Sequence, residues 1–129
     1  MDIDRHWAES YVGIPYIGCD CAQLCIRVQK DQFNKTVGIP AGRPDGLRGI
    51  SDMILDLQDD FAIQVSVPEE GDAVLMIGRG RLNHIGTVCF LNGQEYVLHA
   101  MRNVGMTCLH KTHTLKSVGL SVEGYYRWK

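Results

Sequence analysis

The chain has 129 residues, a formal charge of −2, 45% hydrophobic residues and 22% charged ones. That length and balance suit a single domain, 1–129, with its own core, and argue against a disordered or fibrous chain. The scattered Lys and Arg residues form no basic tract, so nucleic acid is not an expected partner.

No uninterrupted apolar run approaches the ~20 residues needed to span a bilayer. The opening Met1-Asp2-Ile3-Asp4-Arg5 is acidic rather than a charged-then-apolar secretion signal. The expectation is synthesis in the cytoplasm without a signal peptide, and no membrane insertion. Five cysteines at unlike spacings do not resemble a disulfide framework and point to free thiols.

Asp4 to Tyr11 reads as a short amphipathic helix with Trp7, Ala8 and Tyr11 on one face, ended by Gly13. Gly13, Pro15 and Gly18 then block helix up to Cys19, after which Cys21, Leu24, Cys25 and Val28 recur at helical spacing. This predicts a helix from about Asp20 to Lys30, with Asp20 as its N-cap and Cys21 in its first turn. From Thr36 to Gly46 two prolines and several glycines predict loop. Ser51 or Asp52 then caps a helical segment whose aspartates form a solvated face rather than a metal site.

Beyond Phe61 the pattern becomes strand-like: Phe61–Val67, Ala73–Ile77, His84–Leu91, Tyr96–Arg102, Met106–His110 and Leu120–Trp128, with turns at Pro68–Gly71 and Gly78–Arg81. Helices followed by an antiparallel meander define an α+β arrangement. The run His110-Lys111-Thr112-His113 reads as loop.

A cysteine in the first turn of a helix lies where the dipole favours an anion, and the anion is the reactive form of a thiol. Such a start together with an imidazole can lower a cysteine pKa from ~8.5 to roughly 3.5–7.5. Taken alone, Cys21 fits a small buried apolar residue equally well; a base elsewhere in the chain decides between the two. Asn92-Gly93 is a strong signal for a two-residue type I′ hairpin. In the register it fixes, His99 falls opposite Gly86 and Met101 opposite His84. His84 and His99 then project from one face as diagonal neighbours, within ~7 Å and able to hydrogen-bond. Gly86 between them is expected to leave open space on that face. Cysteine, imidazole and a second imidazole make a nucleophile, base and orienter.

The segments Tyr11-Val12-Gly13-Ile14-Pro15-Tyr16, Asp20-Cys21, Gly71-Asp72-Ala73-Val74-Leu75-Met76, His84-Ile85-Gly86 and Leu98-His99-Ala100 resemble the NlpC/p60 cell-wall cysteine peptidases, especially their phage-tail-associated members. The likeness spans nearly the whole chain and keeps the order cysteine, histidine, histidine. It implies a papain-like α+β fold and hydrolysis of a peptide bond in peptidoglycan stems, typically between D-glutamate and a diamino acid. Carried onto this chain, it makes Cys21 the nucleophile, His84 the base and His99 the third polar residue. Tyr16, Asp20 and Ala22 would line the oxyanion and substrate pocket, Ala22 standing where the family commonly has serine. The implied partners are a peptidoglycan peptide as substrate and a phage tail or secretion system for delivery to the wall, with no cofactor and no metal.

Two rival readings follow from the same residues. Cys19, Cys21, Cys25 and a histidine could hold zinc, although a single C-x-C-x3-C lacks the paired knuckles of structural zinc sites. An inactive papain-like component of a tail or other assembly is the second. Cys25, Cys89 and Cys108 are expected to face the core.

Overall fold

The computed structural model describes residues 6–37 and 62–129. The expected loop at 36–46 and the acidic helix beginning at Ser51 or Asp52 lie almost wholly outside them, as do Asp4 and Phe61.

The chain opens on a 3-10 turn, Trp7–Tyr11, whose Ala8 and Tyr11 are buried and whose Trp7 packs beside them. A second 3-10 turn, Tyr16–Gly18, leads into helix α1, Cys21–Phe33, which runs on past its expected end near Lys30. Asn34, in the left-handed conformation at φ 52°, ends it. Six strands follow: β1 Ala62–Val65, β2 Ala73–Gly78, β3 Arg81–Leu91, β4 Gln94–Met101, β5 Met106–Lys111 and β6 Leu120–Trp128. A 3-10 segment, Thr112–Val118, joins β5 to β6.

The described residues are α+β, with one six-stranded antiparallel sheet in the order β1-β6-β2-β3-β4-β5. The expected meander holds from β2 to β5. β6 departs from it by returning to pair with both β1 and β2. The β3–β4 hairpin has the register that Asn92-Gly93 predicts: Leu91 faces Gln94 and Thr87 faces Leu98. Asn92 and Gly93 take φ values of 53° and 76°, the positive values a type I′ turn requires.

Strand residues alternate between two apolar layers. One layer holds α1: Cys21, Ala22 and Cys25 pack with Ala73, Leu75, Ile85, Tyr126 and Trp128, while Leu24 and Val28 pack with Cys89, Leu98 and Ala100. The opposite layer joins Val74, Met76, Val88, Val97 and Met101 to Leu115 of the 3-10 segment Thr112–Val118 and to Leu120. The turn before β2 is tied to β6 through Asp72, which accepts from the Glu69 backbone N–H at 2.7 Å and from Arg127 at 3.0 and 2.9 Å.

Candidate active site

The start of α1 is built as its sequence predicts. Asp20 adopts an extended conformation, its carboxylate accepts from the Gln23 backbone N–H at 2.9 Å, and the Gln23 side chain accepts from the Asp20 N–H at 3.0 Å. This reciprocal capping box pairs two amide donors and fixes where the helix begins. Cys21 is its first residue, at the positive end of the dipole, and both Cys21 and Ala22 are buried. Tyr16 is strapped to the edge of the sheet: its N–H donates to the Gly105 carbonyl at 2.9 Å, and Pro15 bridges Met106. The Tyr16 ring is part of the cluster around Leu24, Leu98 and Ala100.

His84 and His99 meet as the hairpin register implies, His84 Nε2 lying 2.7 Å from His99 Nδ1. The other nitrogen of His99, Nε2, lies 2.8 Å from His110 Nδ1. His110 was expected both to end the strand Met106–His110 and to open a loop; it sits within β5, and the two histidines are part of a row of three. The alternation of Met106, Cys108 and His110 was the available signal, since a strand continued through His110 places Cys108 and His110 on one face. The polar run that follows His110 obscured it. A neutral central imidazole has one N–H, so His99 donates through one nitrogen and accepts through the other, and the three tautomers are set together.

Gly86 does not leave the open space expected of it. A Cβ there would lie 2.5 Å from Val97 Cγ1 and 3.1 Å from both the Leu98 carbonyl oxygen and Met76 Cε. The glycine is needed because the β4 side of the sheet closes over it, and the space beside the imidazoles is packed.

The face on which the row lies separates it from the helix. Ile85, Leu98 and Ala100 belong to the α1 layer, so their neighbours His84 and His99 point the other way, as do Met76, the cross-strand partner of His84, and Val97 and Met101. Cys108, adjacent to His99 in the β4–β5 register, lies on that same opposite face. The structure therefore gathers His84, His99 and His110, and places Cys21, Asp20 and Ala22 on the α1 side of the sheet. Of the cysteines expected in the core, Cys25 and Cys89 are fully buried, and Cys108 is half-buried beside the imidazoles.

Burial sets the protonation of these groups. It lowers the His84 pKa to about 4. It lowers that of His99 to about 2, with repulsion from a charged His84 or His110 adding to the effect. Both rings are neutral at pH 7. Burial raises the thiols of Cys25 and Cys89 to about 12, and raises those of Cys19 and Cys108 as well. Cys25 and Cys89 are thereby held as thiols at neutral pH, the inert form.

The fold and side chains define a small α+β protein with a capped helix bearing a cysteine and a row of imidazoles whose central ring, His99, is buried. No known protein family, curated protein or solved structure matches the chain.

Proposed function

We propose that the chain is a cysteine peptidase of NlpC type, papain-like in fold, that hydrolyses a peptide bond in peptidoglycan stems. The observation that carries this reading is the hydrogen-bonded pair His84–His99, which supplies a base and its orienter in the order after Cys21 that the motifs imply. The capping box supports it from the other side, because it holds Cys21 at a helix start that favours thiolate.

In the reaction, His84 takes the Cys21 proton as Sγ attacks the scissile carbonyl. Backbone N–H groups at the start of α1 and the Tyr16 hydroxyl steady the oxyanion. Collapse breaks the C–N bond; the departing amine takes the proton from His84 and leaves a thioester on Cys21. Water, deprotonated by His84, then releases the acid and regenerates the thiol. His99 acts through His84 by fixing its tautomer. This chemistry requires Cys21 Sγ and a ring nitrogen of His84 to come within hydrogen-bond reach, whereas Cys21 packs on the α1 face of the sheet and the imidazole row lies on the opposite one. A neutral His84 with a pKa near 4 is a weak base alone, and an adjacent thiolate would raise it.

That same separation favours a second reading, an inactive papain-like component of a phage tail or other assembly. Digestion of defined muropeptides, followed by mass spectrometry, discriminates the two. The peptidase reading expects fragments from the wild type and none from a folded Cys21→Ala variant. Fragments released equally by Cys21→Ala, or none from either protein, would overturn it, and the second outcome supports the assembly role.

A further inference from the structure

We propose that His99, Cys108 and His110 form a three-ligand site for a zinc-class divalent ion on the sheet face opposite α1, with His84 as the outer partner of His99. The inference does not rest on the peptidase reading, and none of the cysteines near the start of α1 takes part.

Three observations place these ligands together. Cys108 and His110 are two apart on β5 and so share a face, and His99 on β4 is paired with Cys108 in the register. His99, Cys108 and His110 each offer one ligand atom, and the three atoms lie within 4.8 Å of one another. His99 is fully buried while Cys108 and His110 are part-exposed, so an ion could enter from the β5 side and keep a fourth position for water.

The distances suit a small tetrahedral ion after little movement. With Zn–N of ~2.0–2.1 Å and Zn–S of ~2.3 Å, tetrahedral angles separate two nitrogens by ~3.3 Å and a nitrogen from sulfur by ~3.5 Å. His99 Nε2 and His110 Nδ1 are 2.8 Å apart, and Cys108 Sγ lies 3.8 Å from His110 Nδ1. Opening the imidazole pair by about half an ångström lets the ion replace the proton they share.

The outer shell is also present. A metal on His99 Nε2 obliges that ring to carry its proton on Nδ1, which faces His84 Nε2 at 2.7 Å and donates to it. Ligating histidines are characteristically fixed in this way through their second nitrogen. On binding, Cys108 loses its proton to solvent and ligates as thiolate, while His99 and His110 ligate as neutral rings. No change of oxidation state is involved. Thiolate with imidazole is a donor set suited to zinc, and cobalt(II) is its spectroscopic stand-in.

The test is titration of the reduced, metal-free full chain with cobalt(II), then displacement by zinc(II). One equivalent of cobalt should give a thiolate-to-cobalt charge-transfer band and tetrahedral d–d bands. Zinc should abolish them and protect Cys108 from alkylation, as read by peptide mass spectrometry on the wild-type protein. Folded Cys108→Ser should lose the charge-transfer band, and His110→Gln should lose tight binding. His84→Gln should keep the spectrum and bind roughly 10- to 100-fold more weakly. Cys19→Ser should bind as the wild type does. No cobalt band with the wild type, a charge-transfer band persisting in Cys108→Ser, or unprotected Cys108 under saturating zinc would each overturn the site. Loss of the band in Cys19→Ser would move the metal to the Cys19, Cys21, Cys25 cluster and overturn it equally.

Discussion

Acidification should destabilise the metal-free protein well before its carboxylates dominate, because His84 and His99 are held as neutral rings. Their folded pKa values are about 4 and about 2, against ~6.5 for an unfolded histidine. Below pH 6.5 the unfolded chain therefore binds protons that the folded chain refuses, and stability falls as pH falls. From pH 8 to pH 5 a fully excluded imidazole contributes a loss of about 2 kcal/mol, at ~1.36 kcal/mol per pH unit below 6.5. His84 has some contact with water and contributes less, so the pair together amounts to roughly 3 kcal/mol. That is a large share of a typical stability of ~5–15 kcal/mol. With a urea m-value of ~1–3 kcal/mol/M, it moves the unfolding midpoint down by roughly 1–3 M. Urea titrations at pH 8, 7, 6 and 5, with thiols reduced and chelator present, measure it directly. The double variant His84→Gln/His99→Gln should show a flattened dependence between pH 7 and 5. A wild-type midpoint that holds or rises across this range, or an unchanged slope in the double variant, would refute the neutral row.

Asp20→Ala should lower stability by about 1 kcal/mol through loss of the cap, and Asp20→Asn by much less, as thermal melts of both variants would show. Gly86→Ala places a methyl 2.5 Å from Val97 Cγ1 and 3.1 Å from the Leu98 carbonyl, so a loss of about 1–3 kcal/mol in urea unfolding is expected. A neutral effect there would mean that β3 and β4 are less tightly packed than described. Brief alkylation of the native protein at neutral pH should leave Cys25 and Cys89 unmodified, because burial holds both thiols at about 12. Peptide mapping that finds either labelled as fast as in urea would contradict their burial.

Local signals made much of this fold readable in the sequence, and non-local ones hid the rest. Glycine and proline punctuation before Cys21, and an aspartate three residues before Gln23, mark a helix start by chemistry confined to a few residues. Asn92-Gly93 fixes a register, and the His84–His99 contact follows from it by counting. The return of β6 between β1 and β2 has no such marker, because it depends on which strand edge remains open once β2 to β5 have paired. The face occupied by the imidazoles was equally hidden: alternation says that His84 and Ile85 point apart, but not which of them α1 covers. The place of His110 in the row was missed at a boundary: it ended the expected strand, and Lys111 and Thr112 look like loop although the ladder with β4 continues through Lys111. The close packing at Gly86 depends on Val97 and Met76 reaching across two neighbouring strands.

The strand order has a consequence for assembly of the molecule during synthesis. β2 to β5 can zip together as they emerge, each pairing with the strand just made. β1 cannot join them, because its partner is β6: Ala62 pairs with Trp128 and Val65 with Tyr125. Until β6 is made, the outer edge of β2 and the whole of β1 carry unpaired amides and carbonyls, the kind of open edge that recruits other chains. The Asp72–Arg127 ion pair closes at the same moment, since one partner waits in the turn before β2 and the other arrives with β6. Completion of the sheet is thus a late, long-range event, and the nascent chain is most exposed to aggregation just before it.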